Sequence, residues 1–147
     1  MLMKNRVRSV FHVLVQFASI IYLLFNVNIP DNLYLKVTLL SGIALGLWSI
    51  WEMRHSDLSI FPDPGKNIQL IIRGPYKYIR HPMYLALFVV LVPLVIFSFS
   101  WINLVVLVVF SINQVLKLFF EEKLIQQALP GYAAYMTKSW RLIPLLF

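Results

Sequence analysis

The chain has 147 residues, of which 60% are hydrophobic and only 13% charged, with a formal net charge of +7 and no cysteine. Soluble domains carry about 25% charged residues, so water could not solvate this surface but lipid could. The absence of cysteine excludes disulfides, thiolate metal sites and a thiol nucleophile, and no metal site is expected.

In chain order, four apolar spans can be read, at about residues 10–26, 33–53, 84–99 and 102–120. The first is interrupted only by His12, Gln16 and Ser19. A spanning helix needs ~20 residues, with ~17 as a lower limit, so the third span is short alone. The third and fourth read best as one helical hairpin turning near Ser98 to Asn103, with Pro93 expected to kink the third. The basic stretch before span one resembles a signal peptide, but no small-residue cleavage site follows, so an uncleaved helix is expected. The expected fold is an all-α integral membrane bundle: a single domain, residues 1–147. Within it lie an N-terminal two-helix region (1–53), a cytoplasmic loop (54–82), and a hairpin with a short tail helix (83–147).

Orientation follows from the basic residues. Of the 13 lysines and arginines, all but Lys36 fall before span one, between spans two and three, or at and beyond the end of span four. Both termini and the central loop are therefore expected in the cytoplasm. Because the charges punctuate the spans, topology accounts for the basic balance, and no nucleic-acid partner is expected. In span two, Gly42 and Gly46 are four apart, a spacing that lets helix backbones approach closely; packing within the chain is the expected use, with dimerisation the alternative.

The polar residues are less easily explained. In the loop, Phe61 to Gly65 is a turn signal and Asn67 to Ile72 an apolar stretch. Gly74-Pro75 makes a second turn, and His81-Pro82 suits the start of a helix. On span four, Gln114, Lys117 and Glu121 share one helix face, and Lys117 can pair with Glu121. Glu121 and Glu122 fall at the expected C-terminal end of that helix, where the dipole disfavours carboxylates. An antiparallel hairpin brings Arg80, His81 and Tyr84 level with Lys117, Glu121 and Glu122. Such a mixture at one depth is a plausible site; a cluster satisfied among its own members is the alternative. In the tail, Tyr132 and Tyr135 share a face if helical, either as an interfacial anchor or as a cap over the hairpin mouth.

These residues resemble the isoprenylcysteine carboxyl methyltransferase and phospholipid methyltransferase superfamily of membrane enzymes. The resemblance runs from about Pro62 to Pro144. It rests on Gly74-Pro75-Tyr76, the Arg-His-Pro-x-Tyr motif at Arg80 to Tyr84, and the Glu121-Glu122 pair. Gly131-Tyr132 with Tyr135, and Arg141 with Pro144, complete it. Ala86 stands where a glycine is frequent, and Leu129-Pro130 replaces a more usual aromatic approach to Gly131.

The resemblance implies S-adenosylmethionine-dependent methyl transfer to a lipophilic acceptor entering from the bilayer. That acceptor would be an isoprenylcysteine-type carboxylate, a phospholipid amine or another small lipid. It further implies a cofactor pocket lined by Gly74, Pro75, Tyr76, His81, Pro82, Tyr84, Glu121, Glu122, Tyr132, Tyr135 and Arg141. Glu122, His81 and Arg80 are the expected catalytic residues. Glu122, seen as lacking a partner like Lys117, is expected to be the carboxylate freer to meet a ligand. The rival readings are a non-catalytic membrane subunit or small carrier, and a related membrane reductase using a nicotinamide cofactor. The acceptor and the oligomeric state are left open.

Overall fold

The computed structural model describes residues 2–29, 31–54 and 70–147, with side chains from residue 6 onward. The turn expected at Phe61 to Gly65, and the first half of the apolar stretch after it, lie outside the described residues. The elements run α1 (Leu2–Asn26), α2 (Leu33–Met53), a 3₁₀ turn (Gly74–Lys77), α3 (Pro82–Phe97), α4 (Trp101–Ala128) and a tail helix α5 (Tyr132–Met136). This is the all-α membrane bundle expected.

Among the described residues, three helices are long and apolar enough to cross a bilayer: α1 from Arg6, α2 and α4. The fourth expected crossing, α3, is apolar but has 16 residues and runs as one helix through Pro93. At 1.5 Å per residue it is ~24 Å long, against a hydrocarbon thickness of ~30 Å. By contrast, α4 has 28 residues and reaches ~42 Å. Its helix continues past the end of the expected span at Phe120, through Glu121 to Ala128, so the carboxylate pair lies inside a helix, not at its end. The dipole argument therefore does not apply to it.

α3 and α4 are joined by Ser98 to Ser100, and the Ser100 hydroxyl caps α4 by accepting from the Asn103 N–H at 3.1 Å. They do not form a level hairpin. Thirteen residues separate Tyr84 from the end of α3 and twenty separate Glu121 from the start of α4, yet the two side chains bond. The main packing partner of α3 is α2, and that of α4 is α1.

The α2–α3 contact explains the small residues. A Cβ on Gly42 would lie 2.7 Å from Val90 Cγ2 and 3.1 Å from the Ala86 carbonyl, whereas one on Gly46 would meet Ala86 Cβ at an ordinary 3.5 Å. The glycine pair thus serves packing within the chain, with Ala86 lying against both. Gly42→Ala is expected to cost ~1–3 kcal/mol by overpacking against a stiff β-branched side chain. Gly46→Ala is expected to be neutral or slightly stabilising, since alanine is the better helix former. Thermal midpoints in detergent check both.

The bilayer reverses ordinary amphipathicity. On α1, Ser9, Gln16, Ser19 and Leu23 are buried in the protein, while Val7, Phe11, Leu14, Phe17, Ile21 and Leu24 are exposed. The apparent interruptions of the first span are its packing face. Across from them, His12 Nδ1 lies 2.8 Å from Asn113 Oδ1, and Asn113 Nδ2 donates to the His12 carbonyl at 3.0 Å. Lys117 Nζ donates to Gln16 Oε1 at 2.9 Å. An apolar core of Leu23, Leu91, Val95, Leu107 and Phe110 fills the bundle on the side away from the tail. At that end Lys36 pairs with Asp31.

Candidate functional site

The site forms where the loop after α2, the start of α3, the last turns of α4 and the tail converge. Gly74 adopts φ +54°, and a Cβ there would come within 2.9 Å of the Glu52 carboxylate, so the turn needs glycine. Pro75 opens the 3₁₀ turn and buries Tyr76. His81 precedes α3 with Pro82 at its first position, as expected, and the His81 carbonyl accepts from the Tyr84 and Leu85 amides.

The tail docks on this loop through its backbone. Arg80 N–H donates to the Trp140 carbonyl at 2.7 Å, Trp140 N–H to Tyr78 at 2.8 Å and His81 N–H to Arg141 at 3.0 Å. Tyr135 OH donates to the Tyr76 carbonyl at 2.5 Å. Tyr132 and Tyr135 are both buried on α5, ring centroids 5.7 Å apart, so the tail helix is a cap on the bundle rather than a free anchor.

At the centre are two carboxylates with different surroundings. Glu122 Oε1 accepts from Arg80 Nε at 2.7 Å, and Oε2 from Arg141 Nε at 3.0 Å. Arg80 Nη1 also donates to the Met136 and Ser139 carbonyls at 2.8 and 2.5 Å. The expectation that Glu122 lacks a partner is corrected here: it is the most strongly paired acid of the cluster, because the tail brings Arg141 to it. Glu121 Oε2 accepts from Tyr84 OH at 2.6 Å. Its other oxygen lies 3.7 Å from Lys117 Nζ, the pairing expected from their spacing. The Glu121 side chain keeps 15% of its surface exposed, three times that of Glu122.

His81 stands between the two acids. Nδ1 lies 3.9 Å from Glu121 Oε2, and Nε2 lies 3.5 Å from Glu122 Oε1. The imidazole stacks on the Tyr84 ring with centroids 5.3 Å apart. Both His81 Nε2 and Tyr76 OH are buried with no hydrogen-bond partner among the described residues. Burial, with Tyr135 and Glu121 nearby, pushes the Tyr76 phenol well above its ordinary range. Burial and Glu122 do the same for Tyr132, and burial pushes Tyr135 up to about 12. All three phenols stay protonated at physiological pH, and Tyr135 donates its proton to the Tyr76 carbonyl.

A cleft of about 430 Å³ adjoins the cluster, lined by Arg80 and by tail residues 136–141, Leu146 and Phe147. Of the site residues singled out in the sequence, only Arg80 and Arg141 reach it; the rest pack behind them.

Sequence reasoning brought Arg80, His81, Tyr84, Lys117, Glu121 and Glu122 to one depth, and the structure places them together. It missed His12, Gln16 and Asn113. The available signal was the matching four-residue spacing of His12 with Gln16 and of Asn113 with Lys117.

With this geometry in hand, the family comparison is decisive: a model described as phospholipid methyltransferase matches residues 34–130, well over half of the chain. The chain belongs to the phospholipid methyltransferase family. As a member it is a membrane methyltransferase in general class. The matched stretch begins in α2 and ends just before Gly131, so it includes the Arg-His-Pro-x-Tyr motif and both glutamates but neither α1 nor α5. A comparison with curated proteins found no match.

Proposed function

We propose that this phospholipid methyltransferase family member transfers a methyl group from S-adenosylmethionine to a lipid acceptor at the cytoplasmic face of the membrane. The observation that carries the reading is the buried Tyr76 OH, which has no hydrogen-bond partner among the described residues, with His81 Nε2, unbonded at 3.5 Å from Glu122, beside the incompletely enclosed Glu121. Unmet polar groups of this kind cost ~1–3 kcal/mol each unless a ligand pairs with them. A zwitterionic methionine tail and a ribose offer the matching partners. Arg80 and Arg141, facing the cleft, suit a carboxylate; Glu121 suits an ammonium or a ribose hydroxyl. Gly74, Pro75, Pro82, Tyr132 and Tyr135 shape the wall, and Glu122 fixes both arginines in place. The cytoplasmic side follows from the basic residues clustered at this end.

S-adenosylmethionine supplies an electrophilic methyl group on a sulfonium. The chain's part is to align donor and acceptor and to exclude water. The family description favours a phospholipid amine as acceptor. Such an amine must shed a proton before its lone pair can take the methyl group. Glu121 and His81 Nε2 are the groups placed to hold that proton, because the lone pairs of Glu122 are already engaged by two arginines. An isoprenylcysteine-type carboxylate would need no base.

Thermal unfolding of the detergent-solubilised chain tests this. S-adenosylhomocysteine is expected to raise the midpoint, since a ligand bound only by the folded state stabilises it by about 2.7 kcal/mol at 100 times its dissociation constant. No shift at saturation, with NADPH giving one, would replace this reading with that of a reductase.

A further inference from the structure

Three polar residues lie close together on the buried side of α4, and their fates differ. Asn113 is fully engaged by His12, and Lys117 by Gln16 and Glu121. Gln114 is 1% exposed, and neither its Nε2 nor its Oε1 has a partner among the described residues. Although it shares a helix face with Lys117, it makes none of the bonds to α1 that Asn113 and Lys117 make. A turn to either side, Phe110 and Leu118 are completely buried hydrocarbon. α3 and α4 pack mainly on other helices, α3 on α2 and α4 on α1.

We infer that Gln114 is a specificity-determining residue, whose amide takes a hydroxyl or amide group of the lipid acceptor at a subsite deeper in the bilayer than the reacting head. Both halves of the side chain are unmet, so the ligand group must donate to Oε1 and accept from Nε2. A hydroxyl or a secondary amide does both; a plain ester accepts only. Glu121 is seven residues further along α4, a rise of ~10 Å. The recognised group therefore lies ~10 Å from the atom that takes the methyl group, along a lipid whose chain leads inward. The inference rests on the methyl-transfer reading for the identity of the reacting head, but the binding of the deeper group does not.

The test uses the full chain in detergent with two probes of identical head and tail. One is a monoacyl phosphatidylethanolamine with its free glycerol hydroxyl; the other is its O-methyl ether, which cannot donate. Isothermal titration of wild type is expected to give at least ~5-fold tighter binding of the hydroxyl probe. Gln114→Met, close to isosteric, is expected to bind both equally and to unfold at a higher temperature without ligand, because an unpaired amide has been removed. Gln114→Leu serves as a second variant. Equal binding by wild type overturns the inference. So does a lower midpoint with discrimination retained, or failure of both variants to fold, since each means that the amide is paired within the protein. S-adenosylhomocysteine binding is measured in parallel. Its absence, with probe discrimination intact, sinks the methyl-transfer reading and leaves the subsite standing.

Discussion

Arg80→Met is expected to be the most destabilising single change in the chain. It removes the 2.7 Å bond to Glu122 and both tail carbonyl contacts at once. Arg80 and Glu122 side chains are 7% and 5% exposed, and the abandoned carboxylate keeps Arg141 at 3.0 Å and the His81 ring at 3.5 Å. Breaking a buried pair from one side costs ~3–5 kcal/mol. Glu122→Gln is expected to fall in the same class, because it leaves two guanidiniums facing a neutral amide. The double variant Arg80→Met with Glu122→Leu should recover part of the loss, since no unpaired charge remains between them. Midpoints of the four proteins measure this. Simple additivity of the two single losses would mean that the pair does not couple and that the tail is held by its backbone bonds alone.

Glu121→Gln is expected to do the opposite: to leave the fold largely intact and lower methyl transfer ~10- to 150-fold. The magnitude is that of one hydrogen bond to a charged group, ~1.5–3 kcal/mol. A glutamine can still accept from Tyr84, which limits the structural damage. It cannot take a proton from an amine or balance an ammonium. The measurement is a methyl-transfer rate beside a thermal midpoint. Full activity in Glu121→Gln would remove this carboxylate from the proposed site. Loss of activity in proportion to loss of folded protein would make it structural.

Much of the bundle is legible in the sequence because the bilayer demands long apolar runs, and these mark the helices and their order. Where a helix stops is less legible. The apolar span ends at Phe120, but most of the residues from Glu121 to Ala128 are good helix formers, so α4 runs on. The meeting of His81 and Tyr84 with Glu121 and Glu122 follows from topology and spacing. The pairing of Glu122 does not, since it depends on where a tail twenty residues away folds back. The angular separation of the two acids was readable; which one the protein keeps for itself required the position of Arg141. The α1 face was hidden for a different reason. A polar residue in an apolar span looks like a blemish until its partner, about a hundred residues on, is known.

That separation has a consequence for biogenesis. His12 and Gln16 each find their partner 101 residues later in the chain. At ~5–20 residues per second of synthesis, α1 spends ~5–20 s in the bilayer before Asn113 and Lys117 exist. Throughout that interval its histidine and glutamine face lipid, water or the insertion machinery. The polar face of α1 is thus completed only when α4 has been made.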